Sequence, residues 1–290
     1  MSDPSATVNT PDQAVVGPPL LAVEGITVRF AGVRALTDVS FQVQPGELFA
    51  VIGPNGAGKT SLFNVLSRVY QPVAGQVTFD GHDLLRLRTH QVARMGIART
   101  FQNLGQFPNT TVLDYLLLGR HTRMRSGILL GGIYVGMTYN EEKKNRAFCL
   151  HLLKLLELER WYNSPLGSLP SGLQKRADLA RALALEPRLL LLDEPVAGMS
   201  VDETEDIAAA ILDIKEQLGV TQILVEHDMA VVMGIADRVL VLDFGRIIAQ
   251  GTPAEVQANP DVIKAYLGEE FGGKVAEPMS IPMDNSQSIP

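Results

Sequence analysis

The stretch Gly53-Pro54-Asn55-Gly56-Ala57-Gly58-Lys59-Thr60-Ser61 constrains this chain more than any other. Before it, Glu47-Leu48-Phe49-Ala50-Val51-Ile52 is a short apolar run that reads as a buried strand. After it, Leu62, Val65, Leu66 and Val69 recur at i, i+3, i+4 and i+7, one face of a helix. A G-x-x-x-x-G-K-[ST] pattern between strand and helix implies phosphate binding. Glycine has no Cβ, so backbone N–H groups can wrap closely around an anion. The helix that follows points its unsatisfied N–H groups and positive dipole end at the same place. Lys59 adds a point charge for β- and γ-phosphates, Thr60 a hydroxyl for Mg²⁺, and Ser61 a donor to another phosphate oxygen. A glycine-rich turn matching by accident is expected in on the order of 1 in 100 chains of this length, and the flanking strand and helix make it rarer.

The 290 residues leave room for one large domain or two small ones. Acidic residues number 32 against 25 basic, net −7, which argues against broad nucleic-acid binding. Cys149 is the one cysteine, so an intrachain disulfide is excluded and a reducing compartment is expected. It stands in an apolar helical run, the setting of a buried, inert thiol. The first 28 residues hold no Lys or Arg, which speaks against the basic n-region of a signal peptide. Gly127 to Tyr139 is the longest uncharged apolar stretch. As a helix it would span roughly 20 Å, short of the ~30 Å hydrocarbon core.

Along the chain, residues 1–18 read as a disordered tail rich in Pro, Ser and Thr. Strands are expected at Leu20–Phe30, Val39–Val43, Gln76–Gly81, Gly96–Phe101, Leu189–Leu192 and Gln222–Glu226, with a hairpin at Val239–Asp243 and Arg246–Gln250. Helices are expected at Thr89–Met95, Thr111–Arg120 and Glu141–Glu159, then from Ser171 to about Glu186, onward to Leu218, and twice near the end at Pro253–Gln257 and Pro260–Leu267. Ser171 reads as an N-cap, Asp178 and Arg181 as an i,i+3 ion pair, and Ser200 or Asp202 as the next cap. The mostly helical block at about 105–175 reads as a subdomain inserted into an α/β core, and 272–290 as a loose tail. Alternating helices and continuous apolar strands imply a mostly parallel sheet covered on both faces.

Ligands bind such sheets at the carboxyl ends of the strands. Four polar features fall there: the phosphate loop, Gln102, Asp193-Glu194 and His227. Asp193, after four leucines, is placed to hold Mg²⁺ through a water opposite Thr60. Glu194 is placed to orient or deprotonate an attacking water. His227 is placed to contact a γ-phosphate, and Phe30 to stack on adenine. Singly, the bland alternatives are a solvated acidic pair, a capping histidine, a surface glutamine and an ordinary strand aromatic.

In this order and spacing, the loop, the strand-end Gln102, a Gly-containing helix start, LLLLDEP and EHD resemble the layout of ABC-type ATPases over roughly residues 20–270. RTFQNLGQFPNTTVLD, LLLDEPVAGM and EHDMAVVMGIADRVLVLDFGRIIAQGTPAEV…VIKAYLG look like the ATP-binding subunits of branched-chain amino acid importers, the LivG-type chains. The resemblance implies an α/β P-loop NTPase of the ABC kind over residues 19–271, with an antiparallel β subdomain and the inserted helical subdomain. It implies that Phe30 stacks on adenine, that Gly53 to Ser61 hold ATP, and that Thr60, Gln102 and Asp193 serve Mg²⁺. Gln102 would sense the nucleotide and communicate with a permease, Glu194 would be the catalytic base and His227 the switch histidine. Ser171 and Gly172 fall in the family's LSGGQ segment, whose helix start faces ATP held by a second subunit. The implied partners are that second ATPase, identical or paralogous, two transmembrane permease subunits and, indirectly, a periplasmic or extracellular solute-binding protein. The implied place is the cytoplasmic face of the inner membrane.

Two positions depart from the family pattern. Pro170 stands where LSGGQ has serine, with Ser171 on a glycine position and Leu173 on the glutamine, and Ser200 stands where the loop after the catalytic Glu usually has Asp. Pro at that position resembles a variant of this importer subfamily. Rival readings are an ABC ATPase of DNA repair, which would carry long heptad arms, a translation-associated protein, which would carry two cassettes, and a lipopolysaccharide-export ATPase. The solute stays open among branched-chain amino acids, amides and urea.

Overall fold

The computed structural model of the protein describes residues 17–30, 32–100, 107–120 and 135–267. Strands β1 (Leu21–Phe30) and β2 (Val33–Val43) pair antiparallel and close at Phe30–Val33. Next, β3 (Leu48–Ile52) runs into the glycine loop and α1 (Lys59–Leu66). Strands β4 (Ala74–Phe79) and β5 (His82–Asp83) complete a four-stranded antiparallel sheet ordered β2-β1-β4-β5. After α2 (Thr89–Val92) and β6 (Ile97–Arg99) come three helices, α3 (Val112–Arg120), α4 (Val135–Leu155) and α5 (Ser171–Leu183). The chain ends in β7 (Leu189–Asp193), α6 (Val201–Leu218), β8 (Thr221–Val225), α7 (Met229–Ile235), β9 (Arg238–Asp243), β10 (Arg246–Gly251), α8 (Pro253–Gln257) and α9 (Pro260–Leu267). The second sheet is ordered β10-β9-β3-β8-β7-β6, and every neighbouring pair except β10–β9 is parallel.

The leucine run explains the middle of this sheet. Leu190 and Leu192 join Ala50, Leu224 and Val241 in a core shared with α3, α4, α5 and α6. Leu189 and Leu191 point the other way, to a core shared with α1 and the antiparallel sheet. Both faces of β7 are thus covered, which is why alternation is absent from its sequence. Each such leucine stabilises the fold by roughly 1.5–3 kcal/mol relative to exposure. Helix starts follow local chemistry. Ser200 and Glu203 form a reciprocal capping box on α6, which stops at Gly219 in the left-handed region. Thr252 and Glu255 do the same for α8, with Pro253 at its first position.

The structure moves several expected boundaries. Strand β2 begins at Val33 rather than Val39, because its whole length pairs with β1. Helix α4 begins at Val135 rather than Glu141, so the apolar stretch 127–139 ends inside a helix, and 127–134 lies outside the described residues. Strand β6 ends at Arg99, and Gln102 also lies outside the described residues. Ser171 is not an N-cap. It is the first residue of α5, whose cap position is Pro170, with no side-chain bond to the helix head. Among the described residues no helix is long and apolar enough to cross a membrane.

Candidate functional site

The glycine loop takes its shape from close backbone approaches. Gly53 has φ +149°, and a Cβ there would lie 2.0 Å from the Leu242 carbonyl oxygen. Gly58 has φ +107°, and its Cβ would lie 2.6 Å from the Ala35 oxygen. Only glycine satisfies both backbone and space at these two points. Gly58 is also the cap position of α1, which has no side-chain cap and no acidic residue in its first turn. The head of α1 is therefore a positive, side-chain-free end, suited to an anion. The Lys59 side chain belongs to a residue only 7% exposed, and its Nζ donates to the Gly53 and Pro54 carbonyl oxygens at 2.5 and 3.1 Å. The ammonium is thus held against the loop it serves. The β9–β10 turn pins the far side: Gly245 N–H donates to Ala57 O at 2.9 Å, and its carbonyl accepts from Thr37 N–H at 2.8 Å. Beside that turn, Pro54 to Ala57, Phe244 and α9 line a cavity of about 490 Å³ that Asp193, Glu194 and His227 do not reach.

Sheet order brings the strand-end residues together. Strand β3, feeding the loop, lies next to β8, which leads to Glu226 and His227, and β8 lies next to β7, which ends in Asp193. Asp193 is buried and its Oδ2 accepts from the Arg99 guanidinium at 2.6 Å. The same guanidinium donates to Asn64 Oδ1 on α1 at 2.9 Å, so Arg99 ties the acidic strand end to the loop's helix. Among the described residues Asp193 Oδ1 has no hydrogen-bond partner, and a small cavity of about 10 Å³, near the size of one water, lies between Asp193, Thr100, Pro195 and Lys175 of α5. That space suits one water donating to the carboxylate, the kind of ligand through which Asp193 would hold Mg²⁺. Among the described residues no cluster of three His, Cys, Asp or Glu side chains could hold a metal alone.

Glu194 is half-buried and sits at φ +48°, a left-handed conformation uncommon for a non-glycine residue. Its N–H still donates to Val225 O at 2.9 Å, so the sheet ladder holds the strained residue in place. Its carbonyl accepts from Lys175 Nζ of α5 at 3.4 Å. Past the end of β8, the His227 side chain is 58% exposed, with Nδ1 3.8 Å from the buried Glu226 carboxylate. Phe30 is 43% exposed at the end of β1 and meets Tyr70 edge-on, ring centroids 4.7 Å apart. Ser171 and Gly172 are not drawn into this rim. Ser171 Oγ donates to Glu203 Oε1 at 3.3 Å, and the three atoms nearest a Cβ at Gly172 all belong to Glu203. The expected Asp178–Arg181 pair is present at 2.9 Å, and Arg181 reaches on to the Arg99 carbonyl at 3.0 Å, joining α5 to the rim. Sequence reasoning missed Arg99 and Glu226. Each lies at or beside a parallel strand end, and that position was the available signal.

The ABC transporter family profile matches residues 36–197, and that of the branched-chain amino acid ATP-binding cassette transporters matches residues 246–272. The chain belongs to the ABC transporter family. It is 40% identical over 251 residues to the high-affinity branched-chain amino acid transport ATP-binding protein BraF of Pseudomonas aeruginosa, covering 87% of this chain and 98% of that protein. The ADP conformation of an ATP-binding cassette of an ABC transporter matches with TM-score 0.76 and 30% identity, over 87% of this chain and all (100%) of that one. A dimeric bacterial ABC transporter cassette matches with TM-score 0.67 and 25% identity, over 80% and 98% of the two chains. The observed α/β architecture with mixed and antiparallel sheets is that of these ABC cassettes.

Proposed function

We propose that the chain hydrolyses ATP as one of two ATPase subunits that drive a membrane permease importing branched-chain amino acids or related small polar solutes. The observation that carries the chemistry is Glu194, held at positive φ directly after buried Asp193, on the strand one place removed from the one that feeds the phosphate loop. The solute class rests on the match at residues 246–272 and on the relatives' transport role.

In this reading Phe30 stacks on adenine, and the Gly53–Gly58 backbone cradles the phosphates. Lys59 leaves the loop carbonyls to neutralise the β- and γ-phosphates, and Ser61 donates to a further oxygen. Thr60 and Asp193 would hold Mg²⁺, with Gln102 beside it, and the ion would neutralise charge developing on the phosphates. Glu194 orients and deprotonates the attacking water, while His227 contacts the γ-phosphate. Ser171 and Gly172 face ATP on the second subunit, so each chain carries two half-sites. Gln102 and the α3–α5 region pass the change to the permease. Such a chain works at the cytoplasmic face of the membrane, held there by the permease.

Glu194→Gln tests the assignment. Turnover is expected to fall by about 100-fold or more while ATP affinity stays within about twofold, because the amide keeps the shape and loses the base. Turnover equal to the parent chain would remove Glu194 from the role.

A further inference from the structure

Glu226 follows β8 and is 0% exposed. A carboxylate so deeply buried costs free energy unless its environment compensates. Among the described residues the basic side chain within ion-pair range is His227, charged only when protonated, whose ring lies 3.8 Å away and mostly in solvent. The compensation comes instead from backbone N–H groups of two different loops. Oε1 accepts from Val196 N–H at 3.0 Å, and Oε2 accepts from His227 N–H at 3.1 Å. Val196 is two residues beyond Glu194, in the loop that leaves β7. Asp228, next in the other loop, caps α7 by accepting from Ala230 and Val231 N–H. One buried side chain therefore clamps the Glu194 loop to the His227 turn, and α7 anchors that turn from behind.

The choice of residue is informative. A carboxylate is acceptor-only, with lone pairs for donors on both sides. Glutamine would turn an NH₂ toward one of the two N–H groups, and aspartate would be one methylene short. An apolar residue would leave both N–H groups unsatisfied. Packing alone does not call for a charge here, and burial pushes the Glu226 carboxyl above the usual carboxylate range.

We propose that Glu226 is a positioning residue for ATP hydrolysis: by bridging Val196 and His227 it fixes the separation between the Glu194 carboxylate and the His227 ring. The proposal rests on the catalytic reading of Glu194 and His227. It also explains why His227 can be largely exposed yet defined in place.

The test compares Glu226→Gln and Glu226→Asp with the unsubstituted chain, alone and on a His227→Ala background, measuring kcat, ATP affinity and Tm. Either Glu226 variant is expected to lower kcat by about tenfold with ATP affinity within about twofold, and to lower Tm by a few degrees because a buried N–H loses its acceptor. On the His227→Ala background the same variants are expected to lower kcat by less than about twofold, because the group they position is already gone. A kcat equal to the parent in both variants would overturn the proposal. So would an equal, multiplicative loss of kcat on the His227→Ala background, the mark of a purely structural residue. All variants are measured in the transporter assembled with its second ATPase and permease: an assembled parent without ATPase activity would overturn the proposed function and this inference with it, whereas an active parent with unaffected variants would overturn the positioning role alone.

Discussion

The rim of the parallel sheet and the head of α5 are both read as phosphate-facing, and they are built differently. At the rim, Gly53, Lys59, Asp193 and Glu226 are buried, and each is held by main-chain geometry or by bonds to main-chain groups and the half-buried Arg99 guanidinium. At the head of α5, Ser171 is exposed, the cap position is a proline without a side-chain bond, and among the described residues the Ser171 hydroxyl bonds Glu203. A buried rim is preorganised within the chain, since its groups have few other places to go. The α5 head has a partner it can release, which suits a surface completed by another subunit.

The largest loss is expected at the glycine loop. Gly53→Ala puts a Cβ onto the Leu242 carbonyl at a backbone angle that side chains rarely adopt. It is expected to cost about 3 kcal/mol or more and to abolish nucleotide binding. Gly56→Ala, at φ +79° with open space around it, is the control and is expected to cost about 1 kcal/mol. Equal Tm losses for the two would mean that the loop is not shaped by close approach.

Arg99→Ala comes next. It strips a buried carboxylate of its cation and frees α1 from the strand end. With the Arg99 side chain 23% exposed, solvent softens the loss, and about 2–3 kcal/mol is expected by denaturant titration. A weaker response to added Mg²⁺ should accompany it if Asp193 is thereby misplaced. A neutral substitution would show that the Arg99 bridge is an ornament of the rim.

The same contrast explains what could be read before the fold was known. The loop, the leucine strand and the acidic strand end are encoded locally: glycine spacing, uninterrupted apolar residues, and a carboxylate where the run stops. Arg99 and Glu226 are not, because their roles depend on which strands become neighbours. Glu226 gains its meaning from Val196, 30 positions away, and Arg99 from Asp193, 94 away. Ser171 misled for the opposite reason. Serine before a helical run is a good cap by local rule, but the helix starts on it and its hydroxyl turns to α6. Short-range chemistry placed the elements, and long-range pairing decided which polar groups became permanent.

Ser171→Ala sharpens the comparison from the other side. Losing one exposed bond at 3.3 Å is expected to change stability by less than about 0.5 kcal/mol. Turnover is expected to fall by about tenfold if, as proposed, the hydroxyl donates to phosphate on a second subunit, since that bond would be charge-assisted. A large Tm loss with normal turnover would reverse the contrast and make the α5 head a structural element.

The smallest effect is expected behind that head. Cys149 is fully buried on α4 against α3 and α5, and burial pushes its thiol up from 9.0 to about 11. The folded state therefore favours the neutral thiol. Its contribution to stability is complete below pH 9.0 and is lost only as pH rises toward about 11. A thiol reagent at pH 8 is expected to leave the folded chain unlabelled over hours and to react fully once denaturant unfolds it. If the α5 head is loose only because it awaits a partner, the helices beneath it should be as closed as the sheet. Rapid labelling of the native chain would show that the looseness runs through the helical packing, and the distinction between a preorganised rim and a releasable surface patch would fail.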